Sequence, residues 1–295
     1  MGTAQAARRL GLALAAVAAF ALQAAAQGSD LAALQRRVAR LEAVAAGAAG
    51  RTIYEAECAP CHGIKGDGLG ISAKRFAQRP TDFTKGTYKL QSTLSGSPAS
   101  DLPLDADLER TVRQGMSSTE MPAFEGLLSP AGTRAVVQYI KTFSPRFADP
   151  QAPAPETAMA KLPESRPSPA SEQSVAAGKA VYQSKACTDC HGETGEGNAD
   201  EKDKWGFPVR LVSFRGGMFK SGPSDLDLFR SITTGMRGTS MDPYGGTVSP
   251  EETWQLVDYV RSLEDKPDGL GKWLRVLLAD RPSGLDYRDR VKAAQ

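Results

Sequence analysis

Cysteine and histidine are scarce in this chain of 295 residues, which has only four cysteines and two histidines. All six lie in two copies of one pattern, Cys-x-x-Cys-His, at residues 58–62 and 187–191. No cysteine remains for a disulfide elsewhere, and no histidine remains for a further metal site. The chemistry of these residue types is therefore confined to two places in the sequence.

A strong net charge is lacking as well, because 36 basic residues face 34 acidic ones. Proteins that bind nucleic acids carry a clear excess of basic residues, so this balance argues against nucleic-acid partners. Loss of residues 1–26 would remove Arg8 and Arg9 and leave the polypeptide neutral.

The N-terminus has the composition of a secretory signal peptide. Arg8-Arg9 precedes an apolar run from Leu10 to Leu22, and the small residues Ala24-Ala25-Ala26 follow it. The run is shorter than the roughly 20 residues that a membrane-spanning helix needs, and the small residues satisfy the A-x-A cleavage rule. We expect cleavage after Ala26, no transmembrane span in the mature protein, and a periplasmic location.

The two Cys-x-x-Cys-His motifs predict covalent attachment of haem of the c type. Two thiols form thioether links to the haem vinyl groups, and the adjacent imidazole becomes the proximal ligand of the iron. A zinc site shared by both motifs, or structural disulfides, would also use the cysteines, but neither explains a histidine after each second cysteine. The sequence thus predicts two covalently attached haem c groups. The attachment residues are Cys58, Cys61, Cys187 and Cys190, and the proximal ligands are His62 and His191.

An internal repeat extends well beyond these motifs. Residues 50–54 before the first motif correspond to residues 178–182 before the second, and residues 82–89 correspond to residues 213–220. A Ser-Pro pair, at residues 129–130 and again at 249–250, then opens a helix in each copy, with serine as N-cap and proline in the first turn. We predict a signal peptide (1–26), an N-terminal amphipathic helix (27–49), a first haem domain (50–143), a proline-rich linker (144–174), a second haem domain (175–264) and a C-terminal extension (265–295).

The segments outside the repeats carry weaker signals. Leu31, Leu34, Val38 and Leu41 recur at heptad-like spacing, which predicts a short helix that packs on the first domain or docks a partner. Residues 272–278 are apolar and basic, as in a helix that folds back over a domain, docks a partner or rests on a membrane surface. The linker contains seven prolines, which favour extended backbone with little regular structure.

The second axial ligand of each iron must come from another residue type, because both histidines are already assigned. The first repeat offers Met116 and Met121, and the second offers Met236 and Met241. Met121 and Met241 are preferred, since a proline and an aromatic residue follow each and would stiffen the loop that presents the thioether. Met116 and Met236 are the fallback ligands. Alternatively, any of the four fills space beside the porphyrin, as methionine commonly does.

In its motifs the chain resembles dihaem cytochromes c built from two class I cytochrome c domains in tandem. The resemblance covers about residues 50–143 and 176–263 and combines Cys-x-x-Cys-His, a later methionine loop and a closing helix with a tyrosine. It implies an all-α fold and the histidine and methionine ligation that is usual in cytochromes c. It also implies that the first helix of each domain crosses the last. Gly50 and Gly178 would permit the close approach of the two helices. The residues that would pack near the crossings are Tyr54, Tyr139, Tyr182 and Tyr259.

The resemblance implies electron transfer, with two haems forming a relay between a redox donor and a redox acceptor. A second hypothesis makes the chain the cytochrome subunit of a larger respiratory or molybdenum-containing oxidoreductase. A third makes it a haem enzyme, such as a dihaem peroxidase or an enzyme of sulfur oxidation. Those enzymes use additional histidine or cysteine ligands, which this chain lacks, although loss of a methionine bond would open a coordination position.

Overall fold

The computed structural model describes residues 36–37, 45, 47–76, 78–94, 102–150, 160, 162–197 and 199–265. The predicted signal peptide, most of the predicted helix at 27–49, residues 151–159 of the linker and residues 266–295 of the C-terminal extension lie outside the described residues. The chain divides into two compact units, Met1–Ala49 and Gly50–Gln295. Both repeats belong to the second unit, which contains every element and contact that follows.

Regular structure in the second unit is helical apart from one pair of short strands, which confirms the predicted all-α class. The two strands pair antiparallel, with Glu201 opposite Val209. No helix among the described residues is both long and apolar enough to cross a membrane. The elements are α1 (Ala59–His62), α2 (Asp105–Gln114), α3 (Pro130–Lys141), α4 (Glu172–Ser184), α5 (Cys187–His191), α6 (Asp225–Thr234), α7 (Pro250–Ser262), β1 (Glu201–Lys202) and β2 (Pro208–Val209). Tighter or wider helical turns cover Tyr54–Cys58, Ala73–Arg75, Phe83–Lys85, Pro145–Ala148 and Phe214–Gly216.

The closing helix of each repeat begins at the predicted Ser-Pro pair. Ser129 accepts a hydrogen bond from the Gly132 amide at the start of α3, and Ser249 accepts one from the Glu252 amide at the start of α7. Glu252 in turn accepts from the Ser249 amide at 2.8 Å and completes a capping box. These bonds satisfy amides that the first helical turn leaves without partners. Both helices therefore start at the same point of the repeat.

The first helical segment of each repeat crosses the closing helix at a glycine. A Cβ atom at Gly50 would collide with the backbone of Ala135 in α3, and one at Gly178 would collide with the backbone of Gln255 in α7. Tyrosine pairs flank both crossings, with ring centroids 5.4 Å apart for Tyr54 and Tyr139 and 5.1 Å apart for Tyr182 and Tyr259. The close approach expected from the resemblance is thus observed in both repeats.

Each repeat encloses its own apolar core, built from equivalent residues. Tyr54 and Val137 are fully buried in the first core, and their counterparts Tyr182 and Val257 are almost fully buried in the second. The matching pairs are Tyr54 and Tyr182, Phe83 and Phe214, Tyr88 and Phe219, Leu108 and Leu228, Val137 and Val257. Part of each core also lines a predicted haem pocket, namely Phe83, Tyr88 and Leu108 in the first repeat and Tyr182 and Phe214 in the second.

The linker is anchored to the second repeat by Arg166. Its guanidinium donates to Asp225 of α6 at 2.8 Å and to Asp258 of α7, and it lies over the ring of Trp254. The described linker residues contain one helical turn, Pro145–Ala148, and α4 already begins at Glu172, inside the predicted linker range. Part of the linker therefore belongs structurally to the second repeat.

Candidate haem-binding sites

The predicted attachment cysteines lie in the short helices α1 and α5. None of the four forms a disulfide in the described structure, and Cys58 and Cys61 are buried while Cys187 and Cys190 are partly exposed. Burial raises the pKa of Cys58 to about 12 and that of Cys187 to about 11. The thiolate is the reactive form of cysteine, so closed pockets hold these thiols in their less reactive state.

The imidazole of His62 is held as an iron ligand requires. Its Nδ1 lies 3.0 Å from the carbonyl oxygen of Thr81, and its ring stacks on Phe83 with centroids 4.5 Å apart. A carbonyl only accepts hydrogen bonds, so Nδ1 carries the hydrogen and the Nε2 lone pair is left for a metal. Burial lowers the pKa of His62 to about 4, which keeps the ring neutral.

His191 repeats this arrangement in part. Its ring stacks on Phe214 with centroids 4.6 Å apart, and burial lowers its pKa to about 4. Its Nδ1 is buried and makes no hydrogen bond to the described residues. The second imidazole is thus positioned mainly by packing, whereas the first is also fixed by a hydrogen bond.

An apolar pocket lies beside each histidine and contains methionine. The first pocket encloses about 1100 Å³, including its mouth, and His62, Met116 and Met121 all line it. The second encloses about 670 Å³ and is lined by His191 and Met241, whereas Met236 is not among its lining residues. The geometry favours Met241 over its fallback in the second site and leaves both candidates in the first.

Matching hydrogen bonds build the loop that carries the preferred methionine. The Met121 carbonyl accepts from the Met116 amide at 3.1 Å. The Thr119 hydroxyl donates to the Met116 carbonyl at 2.7 Å and accepts from the Met121 amide at 3.2 Å. Thr239 makes the same two bonds at the same distances in the second repeat. A threonine therefore ties both ends of each methionine loop together.

A glycine in the left-handed region precedes each of these loops. Gly115 has φ of +66° and Gly235 has φ of +69°, a conformation that side chains disfavour. A Cβ atom at either position would also come within 2.6 to 2.7 Å of the backbone around the preferred methionine. The glycines thus let helices α2 and α6 end tightly against the loops.

The residues of both sites fit haem c. Each pocket combines a thiol pair, a neutral imidazole and a thioether within apolar walls, and imidazole with thioether is the ligand pair of low-spin cytochromes c. A zinc site shared by both motifs would need its ligands in one cluster. No group of three or more His, Cys, Asp or Glu side chains that could hold a metal exists in the part of the chain that the structure describes.

Three features of the sites went unrecognised in the sequence. The Thr81 carbonyl is a backbone group and leaves no trace in residue type. Residues 82–89 and 213–220 were aligned as part of the repeat, but the stacking of Phe83 on His62 and of Phe214 on His191 was not predicted. The threonine clamp did leave a signal, because both repeats read Met-x-x-Thr-x-Met, at residues 116–121 and 236–241.

Comparisons with known proteins agree with this geometry. The family model for cytochrome c oxidase, cbb3-type, subunit III matches residues 45–140 and 173–260. The Cbb3-type cytochrome c oxidase subunit FixP of Azorhizobium caulinodans is 25% identical over 223 residues, which cover 73% of this chain and 59% of that protein. A chain of the Kuenenia stuttgartiensis reducing HAO-like protein complex Kustc0457/Kustc0458 is 34% identical and superposes with a TM-score of 0.66. That match covers 74% of this chain and 96% of the other.

The family match falls on both repeats and leaves out the linker, so each repeat is a cytochrome c domain with its own attachment motif. Two such domains carry two covalently bound haem c groups, as predicted from the sequence. The chain belongs to the family of cytochrome c oxidase, cbb3-type, subunit III, and it is a dihaem cytochrome c that takes part in electron transfer.

Proposed function

We propose that this cytochrome transfers electrons between redox partners in the periplasm through two haems with histidine and methionine ligands, as the electron-transfer subunit of a larger respiratory oxidoreductase. The observation that carries the proposal is the recurrence of one arrangement in both repeats, a neutral imidazole and a threonine-clamped methionine at a single apolar pocket. The ligands are His62 with Met121 and His191 with Met241.

The protein residues would hold each iron in a state suited to electron transfer. Haem c supplies reversible one-electron exchange when bound. The imidazole and the thioether would be the two protein ligands of each iron, and the soft thioether would favour the reduced iron and raise its potential. Apolar walls exclude water from the site. A carrier of this kind changes its oxidation state with little structural rearrangement.

A subunit role is supported by the relatives and by one exposed surface. The two relatives named above are an oxidase subunit and a chain of a protein complex. In this chain Ile64, Leu69 and Ile71 are 60%, 63% and 84% exposed. Their loop is bonded to α1, because the Gly70 amide donates to the Cys61 carbonyl and the Ser72 amide to the Pro60 carbonyl. Exposed apolar patches mark interaction sites, and this one adjoins the first haem attachment.

The attachment chemistry and the N-terminal sequence both support a periplasmic location. The thiols are consumed by haem attachment outside the cytoplasm, and residues 1–26 have the composition of an export signal. Mass spectrometry of the protein isolated from its host tests this point. We expect a mature N-terminus at Gln27 and the mass of two haem groups, whereas an intact N-terminus at Met1 would contradict export by cleavage.

The ligand assignment is tested by optical redox titration combined with a carbon monoxide challenge. The wild-type protein should show two low-spin haems, the ferric charge-transfer band of methionine sulfur, and no carbon monoxide binding. Replacing Met121 or Met241 by alanine should open one iron to carbon monoxide. Met236→Ala is the matched control, because Met236 occupies a methionine loop without lining its pocket.

Three outcomes would overturn parts of the proposal. A Met121→Ala protein that stays closed to carbon monoxide while Met116→Ala opens would move the first ligand to Met116. Carbon monoxide binding by a haem of the wild-type protein would reject methionine ligation at that site and favour the haem-enzyme hypothesis instead. Repeated isolation from the native host as a lone soluble protein would reject the subunit role and leave a free electron carrier.

A further inference from the structure

The two cytochrome domains meet through equivalent segments. The Ser118 hydroxyl of the first methionine loop donates to the Met218 carbonyl at 3.0 Å. The repeat places Gly238 and Thr87 at the corresponding positions, and a Cβ atom at Gly238 would lie 3.4 Å from the Thr87 methyl. Each methionine loop therefore touches the same segment of the other domain, which is the arrangement around a pseudo-two-fold axis.

Two equivalent lysines lie on this boundary, Lys89 in the first domain and Lys220 in the second. Lys220 is 5% exposed, and its Nζ donates to Gln78 Oε1 of the first domain at 2.9 Å and to the Arg210 carbonyl. Gln78, Arg79 and Lys89 all line the first haem pocket. The amine of a second-domain lysine thus reaches the wall of the first haem site.

Positive charge exceeds negative charge around these amines. Burial, with smaller contributions from Lys89 and Arg210, lowers the pKa of Lys220 to about 8, and Glu120 opposes this shift. Burial likewise lowers the pKa of Lys89, with Asp203 opposing and Arg79 adding to the effect. Asp82 is already paired with Arg79. The cluster lacks enough carboxylate to compensate its cations, and buried uncompensated charge is costly.

One donor of this cluster has no acceptor. Arg79 donates through Nη2 to the Asp67 carbonyl and to Asp82, but its Nε is buried and makes no hydrogen bond to the described residues. An unmet buried donor is unfavourable, because it has lost its hydrogen bonds to water. A negatively charged acceptor in the pocket would satisfy Arg79 and compensate both lysines.

Haem c brings such an acceptor, because each porphyrin carries two carboxylates. We propose that Arg79, Lys89 and Lys220 bind the carboxylates of the first haem, so that a lysine of the second domain completes the haem site of the first. The inference rests on the haem placement proposed above. The described lining of the second pocket contains no lysine or arginine, so this cluster of cations serves the first haem and has no counterpart in the lining of the second pocket.

The electrostatic consequence is a first haem whose potential depends on the second domain. A cation beside a haem carboxylate favours the reduced iron, and its removal leaves a negative charge that favours the ferric state. Lys220→Met should therefore lower the midpoint potential of the first haem, although residue 220 lies in the second domain. Lys220→Arg should restore the midpoint, since it keeps the charge.

The experiment is a redox titration of intact holoprotein in a Met241→His background. A histidine ligand in place of a thioether lowers the potential of the second haem and separates its wave from that of the first. Lys204→Met is the matched control, because Lys204 also crosses the boundary, to Thr87 Oγ1 at 3.3 Å, but its side chain is exposed whereas that of Lys220 is buried. Infrared difference spectra of reduced and oxidised protein give a second readout, the carboxylate stretch.

A lower first midpoint and a shifted carboxylate band in Lys220→Met, with both unchanged in Lys204→Met, would support the inference. An unchanged first midpoint, or equal shifts in the two variants, would overturn it. Should Lys220→Met not accumulate as holoprotein, Lys220→Gln keeps a polar head and is judged by the same criteria. Failure of the ligand proposal would show separately, as an unaltered second wave in Met241→His alone.

Discussion

One hydroxyl group joins the two ends of each methionine loop. In the second domain the Thr239 hydroxyl donates to the Met236 carbonyl and accepts from the Met241 amide, and Thr119 does the same in the first. A net hydrogen bond in a protein contributes about 0.5–1.5 kcal/mol, and the hydroxyl makes two. The threonine therefore holds the proposed thioether ligand in place against competing ligands.

Thr239→Val should loosen this loop without changing the size of the side chain. We expect exogenous imidazole to bind the second ferric haem about tenfold more tightly, which corresponds to about 1.4 kcal/mol of lost loop stability. Spectrophotometric titration with imidazole measures the change. Thr239→Ser keeps the hydroxyl and should retain the wild-type affinity. Equal imidazole affinity in the valine variant and the wild type would show that the clamp does not hold the ligand.

At the scale of elements, the crossing of the first and last helices decides whether each pocket closes. In the second domain α4 approaches α7 so closely that only Gly178 fits against the backbone of Gln255. The ring of Tyr182, four residues further along α4, packs on Tyr259, and its hydroxyl donates to the Gly192 carbonyl just after the attachment histidine at 2.8 Å. The crossing therefore positions the segment that binds haem.

Gly178→Ala should destabilise the second domain even though alanine is the better helix former. The gain in helix propensity is about 1 kcal/mol, whereas overpacking costs about 1–3 kcal/mol and the colliding atoms belong to backbone that cannot rotate away. Denaturant unfolding followed at the haem band measures the net loss. Gly246→Ala is the control, because a Cβ atom there meets open space. A Gly178→Ala protein as stable as the wild type would mean that the helices separate without cost.

At the scale of the whole molecule, the segments that follow the two haem-attachment motifs differ in the chemistry of their exposed side chains. Ile64 and Ile71 are exposed after the first motif, whereas the equivalent positions after the second motif are the exposed acidic residues Glu193 and Asp200. A relay needs one contact for the donor and another for the acceptor. The unlike surfaces allow each partner to meet one domain, and the apolar one suits the stable contact of a subunit.

Ile71→Asp should weaken assembly with the larger oxidoreductase while leaving both haems intact. A charge in the middle of an apolar contact carries a desolvation cost without a partner. Size-exclusion chromatography of gently prepared extracts from the native host would measure the fraction of the cytochrome in the complex. Leu127→Asp changes another exposed apolar residue, 43% exposed and remote from the attachment motif in sequence, and should leave that fraction unaltered. An equal loss in both variants would deny this patch a specific role.

Several features of this cytochrome could be predicted from short stretches of its sequence. The Cys-x-x-Cys-His motifs and the Ser-Pro helix starts could be assigned because each depends on residues close in the chain and recurs in both repeats. The crossing glycines Gly50 and Gly178 were expected only from the resemblance to class I cytochromes c. The choice between Met116 and Met121 remained a prediction, because both belong to one loop whose sequence does not say which side chain enters the pocket. The hydrogen-bond acceptor of His62, the Thr81 carbonyl, could not be predicted from the sequence, since every residue type supplies a backbone carbonyl.

The sequence by itself determined the number and kind of cofactors and the two-fold repetition, because covalent attachment and helix capping are local chemistry. The all-α class came from the resemblance that these motifs carry. Only the tertiary structure decided how the two domains share a boundary. The pairing of Lys220 with Gln78 joins residues 142 positions apart, and it arises from packing between the domains rather than from any neighbouring residues. Long-range charge placement of this kind depends on three-dimensional proximity, which a linear pattern does not encode.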